Sequence, residues 1–565
     1  MADRRNETAA VISRRAFLAA SSAGLITGPL LSSLAAQPIS PEPSAPASPV
    51  LRPAPRKRIT NLPAELLKHV HPDVRYVRVE LPDEQNALPL LQAANKKYLD
   101  YVDFLSKPPY KLDLVFESPL YKEFEAFEKG GSLPGGEAGD AIRKWIEANQ
   151  PVVKLMDEAV ARGRLQVSAH YLLNFMDEMQ QLESDPMRWY GPLPRFRALR
   201  ARLLLADGDH ERASNEVTQI LKLGKLTAET DGFLIHRIFG QGVQRRALDL
   251  IHKLACHGGV PHEMISSWIN EVPKYEPTME SLKRIQRIEC CYWLVPELNQ
   301  LPEGPTATLV DTFMVRFMAV VLAFDIETRK VLGVGDDDIR AVRQGLNAIL
   351  KDHPRPLDKA DTVRIASKIV ADLIRDLDRP YPARRRDTAG DVAKQIESWP
   401  PYLRLSETPL DFLYGNKTLK PPTDQQLVAA RQALANVDNP LGKQIAADIT
   451  GYNEIRASAE RHRACFAATR IVLACRRKLD RDGKLPEQLD DLVRDRFIDS
   501  IPLDPFDGQP FRYSRERALV WSIGPDGKDD NGDWDFEAEW PTGKDLVWKL
   551  PQAKADKEQP KAPAK

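Results

Sequence analysis

The chain has 565 residues, with 80 Lys plus Arg balanced by 80 Asp plus Glu, so its formal net charge is zero. A hydrophobic fraction of 42% and a charged fraction of 28% are those of a soluble globular protein, and at about 150 residues per domain the length suggests roughly two to four folding units. Balanced charge excludes a global attraction to nucleic acid or to an anionic membrane. The five cysteines, Cys256, Cys290, Cys291, Cys465 and Cys475, are too few and too scattered for a disulfide scaffold.

In chain order, Ser13-Arg14-Arg15-Ala16-Phe17-Leu18 has the form of a twin-arginine export motif. A weakly apolar stretch follows to Leu34, and the small residues around Ser33-Leu34-Ala35 suit cleavage before Ala36. Gly24, Gly28, Pro29 and several serines make this stretch a poor bilayer span, which takes about 20 strongly apolar residues. Residues 1–35 are therefore expected to be a signal peptide, with Ser13, Arg14, Arg15, Phe17 and Leu18 as its recognition residues. The mature chain would be periplasmic or extracellular. Its removal takes away four arginines and two acids, leaving a charge of about −2. Residues 36–60 form a Pro/Ala-rich linker that cannot build a core.

Residues 61–400 carry a mainly helical pattern. Leu199, Leu203, Leu204 and Ala206 lead into Gly208-Asp209, and Ala213, Val217, Ile220 and Leu221 follow, so apolar positions recur at helical spacing on both sides of a turn. This helical hairpin resembles a tetratricopeptide repeat, and the small Ala213 would let its helices approach closely. The consensus does not recur at a fixed period, so the expected body is an irregular helical-hairpin array. A further helix over Phe233–Leu254 should stop at Gly258-Gly259. Val310–Phe324 reads as a buried helix, too short and too interrupted by Arg316 to span a membrane. Arg384-Arg385-Arg386 reads as a solvated basic run.

Residues 401–450 are a proline-broken linker, with a capping box at Thr423 and Gln426 opening a helix through Ala435 and Asn439-Pro440-Leu441-Gly442 interrupting thereafter. A long helix is expected over Tyr452–Leu479, then a short one over Gln488–Val493. Phe511–Tyr513 and Ala518–Ser522 are strand-like. Residues 551–565 form a Lys, Ala and Pro tail expected to be disordered.

The order of motifs across 451–550 is distinctive: Asp482-Gly483-Lys484-Leu485-Pro486, a short helix, Asp504-Pro505-Phe506, a strand, then Ser522-Ile523-Gly524-Pro525-Asp526-Gly527 and a run of acids. It resembles the C-terminal half of the type II secretion major pseudopilins. The whole arrangement is also similar to exported bacterial proteins that join a helical-repeat body to such a tail, with an Asn-Pro-x-Gly segment before the long helix. A pseudopilin opens with a prepilin peptidase site, whereas here the equivalent helix lies deep inside the chain. The resemblance implies a small α+β module holding calcium. It assigns Asp526 to the family's Asp-Gly aspartate and Asp533 or Asp535 to its late one. The residues themselves allow two readings, a calcium site built from Asp526, Asp529, Asp530, Asn531, Asp533 and Asp535 or a solvated acidic turn. An EF-hand is excluded, because aligning Gly532 as the turn glycine puts Gly527 and Ala538 at ligand positions.

His252, Cys256, His257 and His262 are the densest soft-ligand grouping, but no CxxC or HExxH pattern frames them. Haem-attachment, nucleophile-elbow, phosphate-loop and dinucleotide motifs are missing from the sequence. The fold expected is mainly α, and the function expected is an exported scaffold that binds a protein or peptide partner. The alternative is a hydrolase-like exported enzyme with a carboxylate site in the helical body, since paired carboxylates leave no sequence signature.

Overall fold

The structure is a computed structural model and describes residues 61–174, 187–257, 260–301, 357–381, 437–448, 452–533 and 545–552, with isolated positions 425, 428, 429 and 432. The signal residues, the linker, Val310–Phe324, Arg384–Arg386, the Thr423 capping box and Asp535 lie outside the described residues. What is described is mainly helical, with one small three-stranded sheet. No helix among the described residues is long and apolar enough to cross a membrane.

The first helices of 10 or more residues are α1 (Leu88–Lys97), α2 (Pro119–Glu128), α3 (Gly136–Ala148) and α4 (Gln150–Arg162). In α3, Ala138, Ala141, Ile142, Trp145 and Ile146 recur on one buried face, the spacing that makes a helix amphipathic. Trp145 meets Tyr101, Phe124 and Phe196 edge to face, a preferred aromatic arrangement.

The Gly-Asp turn is flanked by α5 (Pro192–Ala206) and α6 (His210–Ala228). Gly208 takes a left-handed φ of 78°, and the Asp209 side chain accepts a hydrogen bond from the Arg212 backbone N–H (3.1 Å), capping α6. Ala213 is fully buried. Buried Arg197 of α5 pairs with Glu216 of α6 and with Asp157 of α4, tying the hairpin together and to α4. The next helix, α7 (Leu234–His257), packs along α6. It is followed by α8 (His262–Glu271) and α9 (Met279–Glu289).

Beyond α9 the helix widens into a π turn over Cys290–Leu294 before α10 (Val295–Gln300). Pro296 explains it: proline has no N–H to offer and its ring crowds the carbonyl four residues back. α11 (Lys359–Asp376) lies against α12 (Pro440–Asp448). The chain is non-helical at 437–439, within the interruption read from the sequence, and a new helix begins at Pro440, a first position that needs no N–H, so that Pro440–Gly442 belong to it. The Asn439 side chain donates to Asp358 O, Asp361 Oδ2 and Thr362 Oγ1 and accepts from the Asp358 N–H. A Cβ on Gly442 would come within 2.1 Å of Thr362 Oγ1. The motif is a clasp between residues 77 to 81 positions apart in the chain.

The long helix α13 (Tyr452–Asp482) follows, then α14 (Asp490–Arg494), β1 (Arg512–Ser514), β2 (Leu519–Ser522) and β3 (Leu546–Lys549). The strands form an antiparallel sheet in the order β1-β2-β3, with Val520 opposite both Tyr513 and Trp548. β3 goes beyond the two strands read from the sequence. α13 packs on α7 and α8 and also on β2 and β3. Val217, Ile220, Ile251, Ile265 and Trp268 accordingly share one core with Phe466, Ile471, Val472, Val520 and Leu546.

Candidate cation site

The acidic loop hangs from the end of β2, and buried Asp504 holds it there. One oxygen of Asp504 accepts from the Phe506 N–H (3.0 Å) and from Ser522 Oγ (2.9 Å), and the other from the Ile523 N–H (2.9 Å). Arg512 stands 3.4 Å from it. Burial raises its pKa, while these hydrogen bonds act against the rise. With both oxygens engaged, Asp504 is a fastener between the Asp-Pro turn and the strand.

The loop itself runs through left-handed residues at Gly524, Gly527, Asn531 and Gly532, conformations that glycine and asparagine adopt most readily. Asp526 turns back on its own segment and accepts from the Lys528 N–H (3.1 Å). One Asp529 oxygen accepts from the Asn531 N–H (2.9 Å) and from the Trp521 indole (3.0 Å), and the other lies 3.6 Å from Arg512. Arg517 stacks over Trp521 and donates to the carbonyls of Asn531 (2.6 Å) and Gly532 (2.8 Å).

Asp545, immediately before β3, closes the site. It is 0% exposed, and its Oδ2 accepts from the Gly532 N–H at 2.6 Å. Its Oδ1 is buried without a hydrogen-bond partner. Burial raises its pKa above the ordinary carboxylate value, the Gly532 and Asp530 N–H groups oppose the rise, and the charges of Asp529 and Asp530 add to it. A buried carboxylate oxygen without a hydrogen bond beside two further carboxylates is costly, and either a proton or a hard cation relieves it. Calcium takes six to eight oxygens, drawing on carbonyls and water as well as carboxylates. Asp529, Asp530 and Asp545 supply oxygens of that kind, and both Asp529 oxygens and Asp545 Oδ2 already face donors of the chain.

Of the residues expected from the sequence, Asp526 is half-buried and engaged in its own turn, Asp533 is exposed with its N–H bonded to Asp530 O, and Asp535 is outside the described residues. Among the described residues, no three His, Cys, Asp or Glu side chains are gathered closely enough to hold a metal by themselves. Asp545 is not among the residues expected from the sequence; the Asp545-Leu546-Val547-Trp548 run is the strand-like signal that points to it. In the soft-ligand grouping, Cys256 Sγ donates to Lys549 O at 3.5 Å and burial pushes its thiol up to about 11. His262 stands 3.5 Å from Asp480.

The helical body buries ionisable groups of its own. Two N–H groups at the start of α7 are met by side chains: Phe233 N–H donates to His236 Nδ1 (2.8 Å) and Leu234 N–H to Glu289 Oε1 (2.8 Å). Burial pushes Glu289 up to about 7 and His236 down to about 4. His462 of α13, 2.7 Å from Gln244 Oε1, is pushed down to about 3 by burial, with Arg237 and Arg245 contributing. Comparison with protein-family models, curated proteins and solved structures finds no match to this chain.

Proposed function

We propose that this chain is an exported helical scaffold, delivered through the twin-arginine pathway, whose body binds a protein or peptide partner and whose C-terminal, pseudopilin-like module is fastened by calcium. An irregular hairpin array suits such a role, because stacked helices bury a continuous core and leave an extended surface for a partner. The hairpin of α5 and α6, continued by α7, supports this reading of the body. The observation that carries the calcium assignment is the buried, unpartnered Oδ1 of Asp545 beside Asp529 and Asp530.

The test is thermal unfolding in millimolar calcium against excess chelator. If only the native loop gathers the oxygens, calcium at a hundredfold excess over its dissociation constant adds about 2.7 kcal/mol. Tm should rise in the wild type and stay unchanged in an Asp529→Asn, Asp545→Asn double variant. A wild-type Tm indifferent to calcium identifies a plain acidic turn. The second reading, a hydrolase-like exported enzyme, draws on one observation: Glu289 titrates near neutrality inside the body, where a general acid or base works best. Its carboxylate is already engaged in capping α7, which favours the scaffold.

A further inference from the structure

We propose that the aromatic face formed by residues 104–121 is a docking surface for an extended, proline-rich segment, and that its occupant is this chain's own linker, residues 37–56. The inference concerns the helical body and stands apart from the acidic loop and the export route. Leu114 and Phe116 are 68% and 64% exposed, while Val115 between them is buried. The loop that carries them is bonded in place. The Lys111 N–H donates to Lys107 O (3.0 Å), the Leu112 N–H to Leu105 O (3.1 Å), and Ser118 Oγ accepts from the Tyr121 N–H (3.2 Å) at the start of α2. Two large apolar side chains are therefore held in water by a fixed backbone. They continue a row of rings. Phe116 meets Tyr121 edge to face at 4.9 Å, and Tyr121 lies 6.2 Å from Phe124. Phe124 stacks on Tyr101 at 4.1 Å, Tyr101 on Phe104 at 6.2 Å, and Phe104 lies 5.5 Å from Tyr110. Tyr101 and Phe124 are buried, whereas Phe104, Tyr110 and Tyr121 are half-buried, so the row is anchored in the core and reaches the surface at both ends.

Aromatic-lined surfaces take polyproline II segments, whose backbone is already extended and so loses little entropy on docking. Residues 37–56 read QPISPEPSAPASPVLRPAPR, and Pro43, Pro46 and Pro49 recur at every third position. Polyproline II has three residues per turn, so these prolines line one face over about 19 Å. Charge agrees in sign. The stretch 42–58 sets one acid, Glu42, against Arg52, Arg56, Lys57 and Arg58. The face from 101 to 123 sets Asp103, Asp113, Glu117 and Glu123 against Lys107, Lys111 and Lys122. Reach is sufficient as well. Residues 37–60 extend over roughly 70 Å in this conformation, against a radius of gyration of about 23 Å for a folded body of this length. A tether holds its ligand at an effective concentration of about 1 mM, so an affinity of only about 100 μM keeps the linker docked for about nine-tenths of the time. Docked there, the linker covers Leu114 and Phe116 from water.

The experiment places the photo-crosslinker p-benzoylphenylalanine at position 116 of the full chain and maps the products by peptide mass spectrometry. The same probe at Leu503, 58% exposed in the C-terminal module, measures the background of chance encounters with the tether. Crosslinks from position 116 should fall within one chain and map to residues 37–56, at about fivefold or more the yield from position 503. Combining Pro43→Gly, Pro46→Gly and Pro49→Gly keeps the length and charge of the linker but frees its backbone, and should lower that yield by about threefold or more. The unfolding midpoint should not change, because the substitutions lie outside the folded body. Equal yields from the two probe positions overturn the proposal, as do yields that the glycine variant leaves unchanged. Crosslinks joining two chains identify the face as a contact between copies and overturn it too. Absence of any product at position 116 has the same meaning when the probe at 503 crosslinks.

Discussion

At the scale of single residues, the body is governed by groups buried against their preference. Glu289 supplies the clearest pH signature. Its folded pKa of about 7 lies above the usual carboxylate value, so the proton-bound form is favoured by folding. The stability this contributes is full below about pH 4.5 and is lost as pH rises through 7. Replacing Glu289 by Gln removes the titration while keeping an acceptor for the Leu234 N–H. Relative to wild type, Glu289→Gln should gain about 2 kcal/mol between pH 5.5 and pH 8, measured from urea midpoints at the two pH values; parallel profiles would refute the assignment. His236 and His462 act with opposite sign. Their folded pKa values, about 4 and about 3, mean that the stability they contribute is present above about pH 6.5 and is lost as pH falls towards those values. The wild type should therefore lose stability on acidification even though Glu289 alone would gain it.

At the scale of elements, the crossing of α6 and α7 is set by Gly224 on α6 and Gly240 on α7. A Cβ on Gly240 would lie 2.2 Å from Ala228 N and 2.5 Å from Gly224 O, whereas one on Gly242 would meet nothing within 4 Å. Gly240 and Gly242 are both inside α7 and two residues apart, so helix propensity is matched and only packing differs. Gly240→Ala should push the helices apart and cost roughly 1–3 kcal/mol, the usual price of overpacking. Gly242→Ala should stabilise by about 0.5–1 kcal/mol, because alanine loses less backbone freedom in a helix. Chemical denaturation of both variants checks the pair, and equal effects would place the α6–α7 contact elsewhere. The α9–π–α10 segment follows the same logic of local chemistry. Its widening is traceable to Pro296, one residue inside α10.

At the scale of the whole molecule, the C-terminal module and the helical body are one packed unit, since α13 buries residues against α7 and α8 on one side and against the sheet on another. The boundary drawn from composition at residue 450 is thus crossed by a common core. A shared core of this kind must be complete before its surfaces are usable, and twin-arginine transport, which carries folded cargo, is the proposed route. Changing Arg14 and Arg15 together to Lys should leave the precursor in the cytoplasm, as judged by fractionation and by retention of the signal segment. Export that proceeds unchanged would remove the twin-arginine assignment and leave the architecture untouched.

The sequence by itself determined what depends on near neighbours. The Gly208-Asp209 turn, the helices on either side of it, the long α13 and the β1–β2 pair were all legible, because periodicity, capping and turn chemistry act within a few residues. Boundaries shifted by a residue or more, as with the short helix expected over Gln488–Val493 and found at Asp490–Arg494. Tertiary structure alone decided the rest. Asn439 clasps Asp358, Glu289 caps α7 from another helix, and Asp545 returns to Gly532 to complete the candidate site. Each of these joins residues whose separation follows no helical or strand period, and each draws its energy from burial that only the assembled core provides.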